Sequence, residues 1–160
     1  MAENEIAVSA EVEQLLNDAN RLIGNKAYNS AAALFEKALV LFPEYARLWE
    51  RLGTCYMESG KVQQAEACFK QAAATNPNDF LTAFYWGVLN LDKRDWPTAE
   101  EKFKRATELH PVDTMAWFNL ASARAQQKKR EWRVAALQVL KIDPTFPLPE
   151  SWQKSLKGSR

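Results

Sequence analysis

The chain has 160 residues, 47% of them apolar and 26% charged, with a net charge of +1 at neutral pH. That length supports a sizeable core, and the balance excludes a disordered chain, which lacks the apolar surface to offset its conformational entropy. No apolar run approaches the roughly 20 residues of a membrane-spanning helix, and the near-neutral total gives no reason to expect a nucleic-acid partner.

The opening Met1-Ala2-Glu3-Asn4-Glu5 places acid where a secretory signal carries Lys or Arg, so a cytoplasmic protein is expected. Residues 1–11 read as a disordered segment. From Val12 the chain falls into four stretches of one design: residues 12–45, 46–79, 80–113 and 114–144. The first three are 34 residues long, and the same residue types recur when each is numbered from 1. Position 8 is Ala19, Gly53, Gly87 and Ala121. Position 20 is Ala31, Ala65 and Ala99; position 24 is Phe35, Phe69 and Phe103; position 27 is Ala38, Ala72 and Ala106. Position 32 is Pro43, Pro77 and Pro111.

Each stretch predicts two amphipathic helices, because the apolar positions 4, 7, 8, 11 and then 20, 24, 27 follow the three-and-four spacing of one buried stripe. Small residues at 8 and 20 let the paired backbones approach, and large ones at 4, 11 and 24 fill the space around them. Gly60 suits a left-handed residue after a helix end. Asp79, Asp95 and Asp113 suit helix N-caps, with Pro97 in the first turn after Asp95. The position-32 prolines close each second helix.

The last stretch departs from the pattern. Its Pro144 arrives one residue early, which sets Trp132 at the close-contact position and Ala136 where Phe is expected. The volume is redistributed there or the final helix pair splays. Residues 145–160 read as a linker, a capping helix around Trp152 and Leu156, and a flexible tail; docking of this segment elsewhere, including a neighbour's groove, is the alternative.

The second repeat carries Trp49, Leu52, Gly53, Tyr56, Ala65, Phe69, Ala72 and Pro77. On these eight positions and the period, the chain resembles the tetratricopeptide repeat family over residues 12–144. The resemblance implies an all-α fold, a right-handed α-α superhelix of about four helix-turn-helix repeats plus a C-terminal capping helix. It also implies a non-catalytic adaptor or scaffold that binds a partner peptide or helix in its concave groove. In the family, positions 2, 5, 9, 12 and 13 of each first helix face that groove. Here they supply Arg47, Glu50 and Glu58, then Leu81, Phe84, Val88 and Leu91 with Tyr85 alongside, then Met115, Phe118 and Ser122. The groove is thus expected to be mixed polar at first and strongly apolar in its C-terminal half, with covered core as the competing reading of the same apolar residues. The two-carboxylate clamp by which some family members grip acidic chaperone tails is not expected. Asn20 fits its pattern, but Leu16, Arg51, Leu81 and Tyr85 stand at the other four positions.

No catalytic constellation is visible, so no enzyme, cofactor, metal or small-molecule substrate is expected. His110, the single histidine, lies beside Pro111 in a turn, and Cys55 and Cys68 fall on packing faces without metal-ligand spacing. The run Lys128-Lys129-Arg130-Glu131-Trp132-Arg133 reads as a solvated loop and helix start, contact with nucleic acid or an acidic peptide being the weaker reading. Charge is uneven: residues 1–45 carry three bases and seven acids, residues 114–160 nine bases and three acids. Two further readings stand beside the adaptor. The resemblance also admits a small chaperone of a bacterial secretion system shielding apolar cargo segments, and the uneven charge admits a scaffold self-associating head to tail.

Overall fold

The computed structural model describes residues 10–157. Among these, nine helices and no strand are found: α1 (Ala10–Gly24), α2 (Tyr28–Leu41), α3 (Ala46–Glu58), α4 (Val62–Thr75), α5 (Phe80–Asp92), α6 (Trp96–Leu109), α7 (Thr114–Gln126), α8 (Trp132–Ile142) and α9 (Glu150–Lys157). The segment 1–11, expected to be disordered, lies outside the described residues except for Ala10 and Glu11, which open α1. The chain divides into two compact units, Met1–Pro77 and Asn78–Arg160. In the first, α1 packs on α2, α2 on α3 and α3 on α4; in the second, α5 packs on α6, α6 on α7 and α7 on α8.

Side chains at the helix ends set these boundaries. Asp79, Asp95 and Asp113 accept hydrogen bonds from the backbone N–H of Thr82 (2.8 Å), Thr98 (3.3 Å) and Ala116 (2.7 Å), satisfying donors that a helix start leaves without partners. Each second helix stops two residues before its proline, Pro43, Pro77, Pro111 or Pro144. Position 15, in the turn within each repeat, is left-handed in all four: φ is 57° at Lys26, Arg94 and Lys128 and 76° at Gly60. Only one of the four is the residue that adopts this conformation without steric cost. The turns between repeats have their own tie, since the Trp49 indole donates to the Pro43 carbonyl (2.7 Å) and the Trp117 indole to that of Pro111 (2.9 Å).

The repeated positions form the core as their pattern demands. Phe35, Phe69 and Phe103 are fully buried, as are the alanines at positions 20 and 27 in the same helices. Burying each ring contributes about 2–3 kcal/mol. In the second and third repeats the rings fit because position 8 is glycine: a Cβ on Gly53 would lie 2.9 Å from the Phe69 ring, and one on Gly87 2.9 Å from Phe103.

The last pair packs differently. The turn before α8 is longer than the others and α8 has 11 residues against 14 in α6. Ala135, Ala136 and Val139 are fully buried against Leu120, Ala121 and Ala123, so α8 presents small residues where its counterparts present a phenyl ring. The C-terminal segment supplies the missing volume. Leu148 is buried, Trp152 stacks on Trp132 with ring centroids 4.8 Å apart, and Phe146 and Trp152 approach Phe118 to 5.2 and 5.7 Å. The volume is redistributed within the unit, and α9 covers the end of its own final helix pair.

Candidate protein-interaction site

In the second unit the expected groove residues lie on two helices that touch, α5 and α7. Leu81, Phe84, Tyr85, Val88 and Leu91 recur at helical spacing along α5, and Met115, Phe118 and Ser122 along α7. Met115 is 47% exposed, while Leu81, Tyr85, Val88 and Ser122 are half-buried. The Ser122 hydroxyl donates to the Phe118 carbonyl one turn back (3.0 Å), which leaves the apolar character of the face unchanged.

Several of these residues also serve the protein's own packing. The Phe84 ring meets Phe103 edge-on at 5.8 Å and Phe80 at 5.7 Å, and Val88, Leu91 and Phe118 pack against the core of the unit. Position 5 borders the core-facing stripe, and a phenyl ring there is long enough to reach the core. Phe118 is further approached by the C-terminal segment, as described above. Leu81, Tyr85 and Met115 are therefore the better candidates for contact with another molecule.

The other three expected residues belong to the first unit. Arg47 and Glu58 are exposed. Glu50 is only 2% exposed, and its carboxylate accepts a hydrogen bond from the Thr54 hydroxyl at 3.2 Å. It was expected to lend polar specificity to a groove, but its burial withdraws it from direct contact. Helical periodicity places a residue on a face without showing how deeply its neighbours cover it.

One feature of the first unit escaped the sequence reasoning. Between α2, α3 and α4, Leu39, Val40, Pro43, Trp49, Leu52 and Tyr56 line an open cleft of about 530 Å³, closed by Ala67 and Cys68 and with Glu36 as its one charged liner. Val40 at its edge is 82% exposed. The signal was present at position 29, which is Val40 in the first repeat but Ala74 and Glu108 in the next two. The Tyr56 hydroxyl donates to the Glu36 carboxylate, and burial together with this bond raises the Tyr56 pKa to about 12. Burial likewise raises Cys55 to about 11 and Cys68 to about 12, the nearby Glu36 adding to the latter. Both thiols are thus protonated and weakly nucleophilic at neutral pH. His110 is exposed at its turn, with the Phe80 ring 5.2 Å away. Among the described residues no three metal-ligating side chains cluster, and no helix is long and apolar enough to cross a membrane.

Residues 22–82 and again 86–140 match the tetratricopeptide repeat family. The chain is a tetratricopeptide repeat protein. Its fold resembles solved MamA structures. The one spanning residue 41 to the end, from Desulfovibrio magneticus RS-1, superposes with a TM-score of 0.82 at 15% identity, over 93% of this chain and 83% of that one. A second MamA crystal structure gives 0.77 at 19% identity, over 86% and 79%. Among curated proteins, anaphase-promoting complex subunit 3 of Schizosaccharomyces pombe is 28% identical over 97 residues, 61% of this chain. The tetratricopeptide repeat and J domain-containing co-chaperone of Cryptococcus neoformans is 28% identical over 145 residues, 82% of this chain. This chain spans only 15% and 27% of the lengths of those two relatives. The tetratricopeptide fold is in general a non-catalytic module for protein–protein interaction.

Proposed function

We propose that this tetratricopeptide protein is an adaptor whose α5/α7 face binds an apolar-anchored peptide or helix of another protein, with Leu81, Tyr85 and Met115 as the contact surface. The observation that carries the reading is the run of half-buried and exposed apolar side chains shared by two touching helices. Apolar grooves of this kind take amphipathic or extended segments through a few anchor side chains. The Tyr85 hydroxyl and the exposed Asp92 and Gln126 supply polar contacts at the rim. Two buried cysteines outside any disulfide suit a cytoplasmic setting.

Selection of binding sequences from a random peptide library, followed by calorimetry on the enriched peptides, tests this reading. Enriched sequences should carry two or more large apolar residues at helical or extended spacing. A Leu81→Glu/Met115→Glu variant that keeps its helical circular dichroism should bind them at least about tenfold more weakly. Binding that survives both substitutions refutes the assignment of this face. The relationship to a J domain co-chaperone favours a second reading, in which the same face shields unfolded cargo. In that case the protein should keep an otherwise insoluble client in solution.

A further inference from the structure

Two apolar features lie outside the α5/α7 face, one in each unit. The first is the cleft of α2, α3 and α4, whose lining is apolar apart from Glu36, Gln64 and the Tyr56 hydroxyl, and whose edge carries the exposed Val40. Glu44, also exposed, follows the lining residue Pro43 directly. The second is the outward stripe of α8. Val134, Leu137 and Lys141 succeed one another at intervals of three and four residues, so they form one row along the helix, and Arg130 lies in the turn just before it. All four are exposed, Val134 by 66% and Leu137 by 54%. In α6 the corresponding row is Glu101, Lys104 and Glu108, exposed and charged throughout. The repeat design therefore does not require apolar residues there, and two branched aliphatic side chains so open to water mark a contact surface.

The two features are complementary in shape class and in charge. One is a recess with Glu36 in its lining and Glu44 beside it. The other is a ridge with Lys141 at one end and Arg130 in the turn before the other, within residues 114–160, where bases outnumber acids by nine to three.

We propose that the α8 ridge of one molecule docks into the α2–α3–α4 cleft of a second copy. Val134 and Leu137 enter against Val40, Trp49 and Ala67, while Arg130 and Lys141 face Glu36 and Glu44. The interface is heterologous: each molecule offers both a ridge and a cleft, so copies add head to tail. Two aliphatic anchors make a small contact, which places the association in the micromolar range or weaker. Exposed charges steer it, so salt opposes it. The α5/α7 face takes no part and stays available to another partner.

Sedimentation velocity on the full chain tests the proposal, at about 50 mM and about 500 mM salt, where the screening length falls from more than 10 Å to a few. At low salt the weight-average mass should rise with concentration beyond that of a dimer, and high salt should weaken the association by about tenfold. Val40→Asp and Leu137→Asp, both at exposed positions, should each leave the protein monomeric with unchanged circular dichroism. An equimolar mixture of the two variants should recover a dimer and nothing larger, because one intact ridge meets one intact cleft. Leu81→Glu/Met115→Glu should assemble like the wild type, which separates this proposal from the one for the α5/α7 face. The proposal is overturned by a wild type that stays monomeric at low salt up to about 1 mM, a concentration at which micromolar binding saturates. Assembly that ignores both Asp variants, or a mixture that fails to form the capped dimer, overturns it equally.

Discussion

Replacing Gly87 by Ala sets two effects of known sign against each other. Within an exposed helix interior the change is favourable by about 0.8–1 kcal/mol, because Ala loses less backbone freedom on folding. At Gly87 the added Cβ would lie 2.9 Å from two carbons of the Phe103 ring and 3.0 Å from a third. Carbon atoms are at their best separation near 3.5–4.0 Å, so the contact is repulsive. The ring has little freedom to retreat, being fully buried and packed edge-on against Phe84 at 5.8 Å. Overpacking of this kind costs about 1–3 kcal/mol, and the sum is a net loss of up to about 2 kcal/mol. Thermal unfolding followed at 222 nm should show Tm falling by up to roughly 8 °C. Gly24, with nothing within 4 Å of the position its Cβ would take, is the control, and Gly24→Ala should be neutral or stabilising. Shortening the ring should relieve the clash. Gly87→Ala combined with Phe103→Leu should therefore lose about 1 kcal/mol less than the two single changes added together. A Gly87→Ala protein that melts higher than the wild type would refute the close-approach argument for position 8.

The remaining predictions concern the turns and one ion network. Lys26, Arg94 and Lys128 hold left-handed backbones at a cost of about 1 kcal/mol each, so Arg94→Gly should stabilise by about 0.5 kcal/mol after the greater freedom of the unfolded chain is counted. Equilibrium urea unfolding measures this, and Gly60→Ala should shift the midpoint the opposite way. Glu100 on α6 accepts hydrogen bonds from Arg124 (3.0 Å), Gln127 (2.9 Å) and Lys129. Burial alone would raise its pKa, but the Lys129, Arg124 and Gln127 bonds outweigh burial and hold it below the ordinary value. A carboxylate depressed in the folded state stabilises above its unfolded pKa of about 4.3, and that stability is lost as pH falls through the folded value. Glu100→Gln should thus cost about 1 kcal/mol at pH 7, with the difference from wild type closing in strong acid when both are unfolded by urea.

Much of this architecture was legible because the repeat states each constraint several times. Small residues at positions 8 and 20 and Phe at 24 are contact requirements, and the rings and alanines are buried where the period put them. Asp79, Asp95 and Asp113 cap their helices because a cap depends on the next three residues alone. The misfits arise where the outcome depends on residues distant in sequence. Glu50 sits at a groove position by periodicity, and its burial depends on the tertiary packing around it. The exchange of large and small side chains in the last pair was visible, but its resolution needed Leu148, Phe146 and Trp152 to fold back from beyond the repeat. The cleft beside Val40 arises from the packing of three helices; the apolar residue at position 29 hinted at an open surface there but could not show a recess. The apolar residues of α5 and α7 were visible in the sequence, but periodicity did not show which of them the core of the unit takes up.

The stacking of Trp152 on Trp132 gives the C-terminal unit an optical gauge of its own. Two indoles with centroids 4.8 Å apart and planes inclined by 35° couple as chromophores, and the coupling vanishes when α9 lifts away, even while α5 to α8 keep their far-ultraviolet signal. Near-ultraviolet dichroism therefore distinguishes a frayed end from a melted repeat without any attached label. The docking of the eight residues of α9 can be followed separately from the folding of the helices they cover.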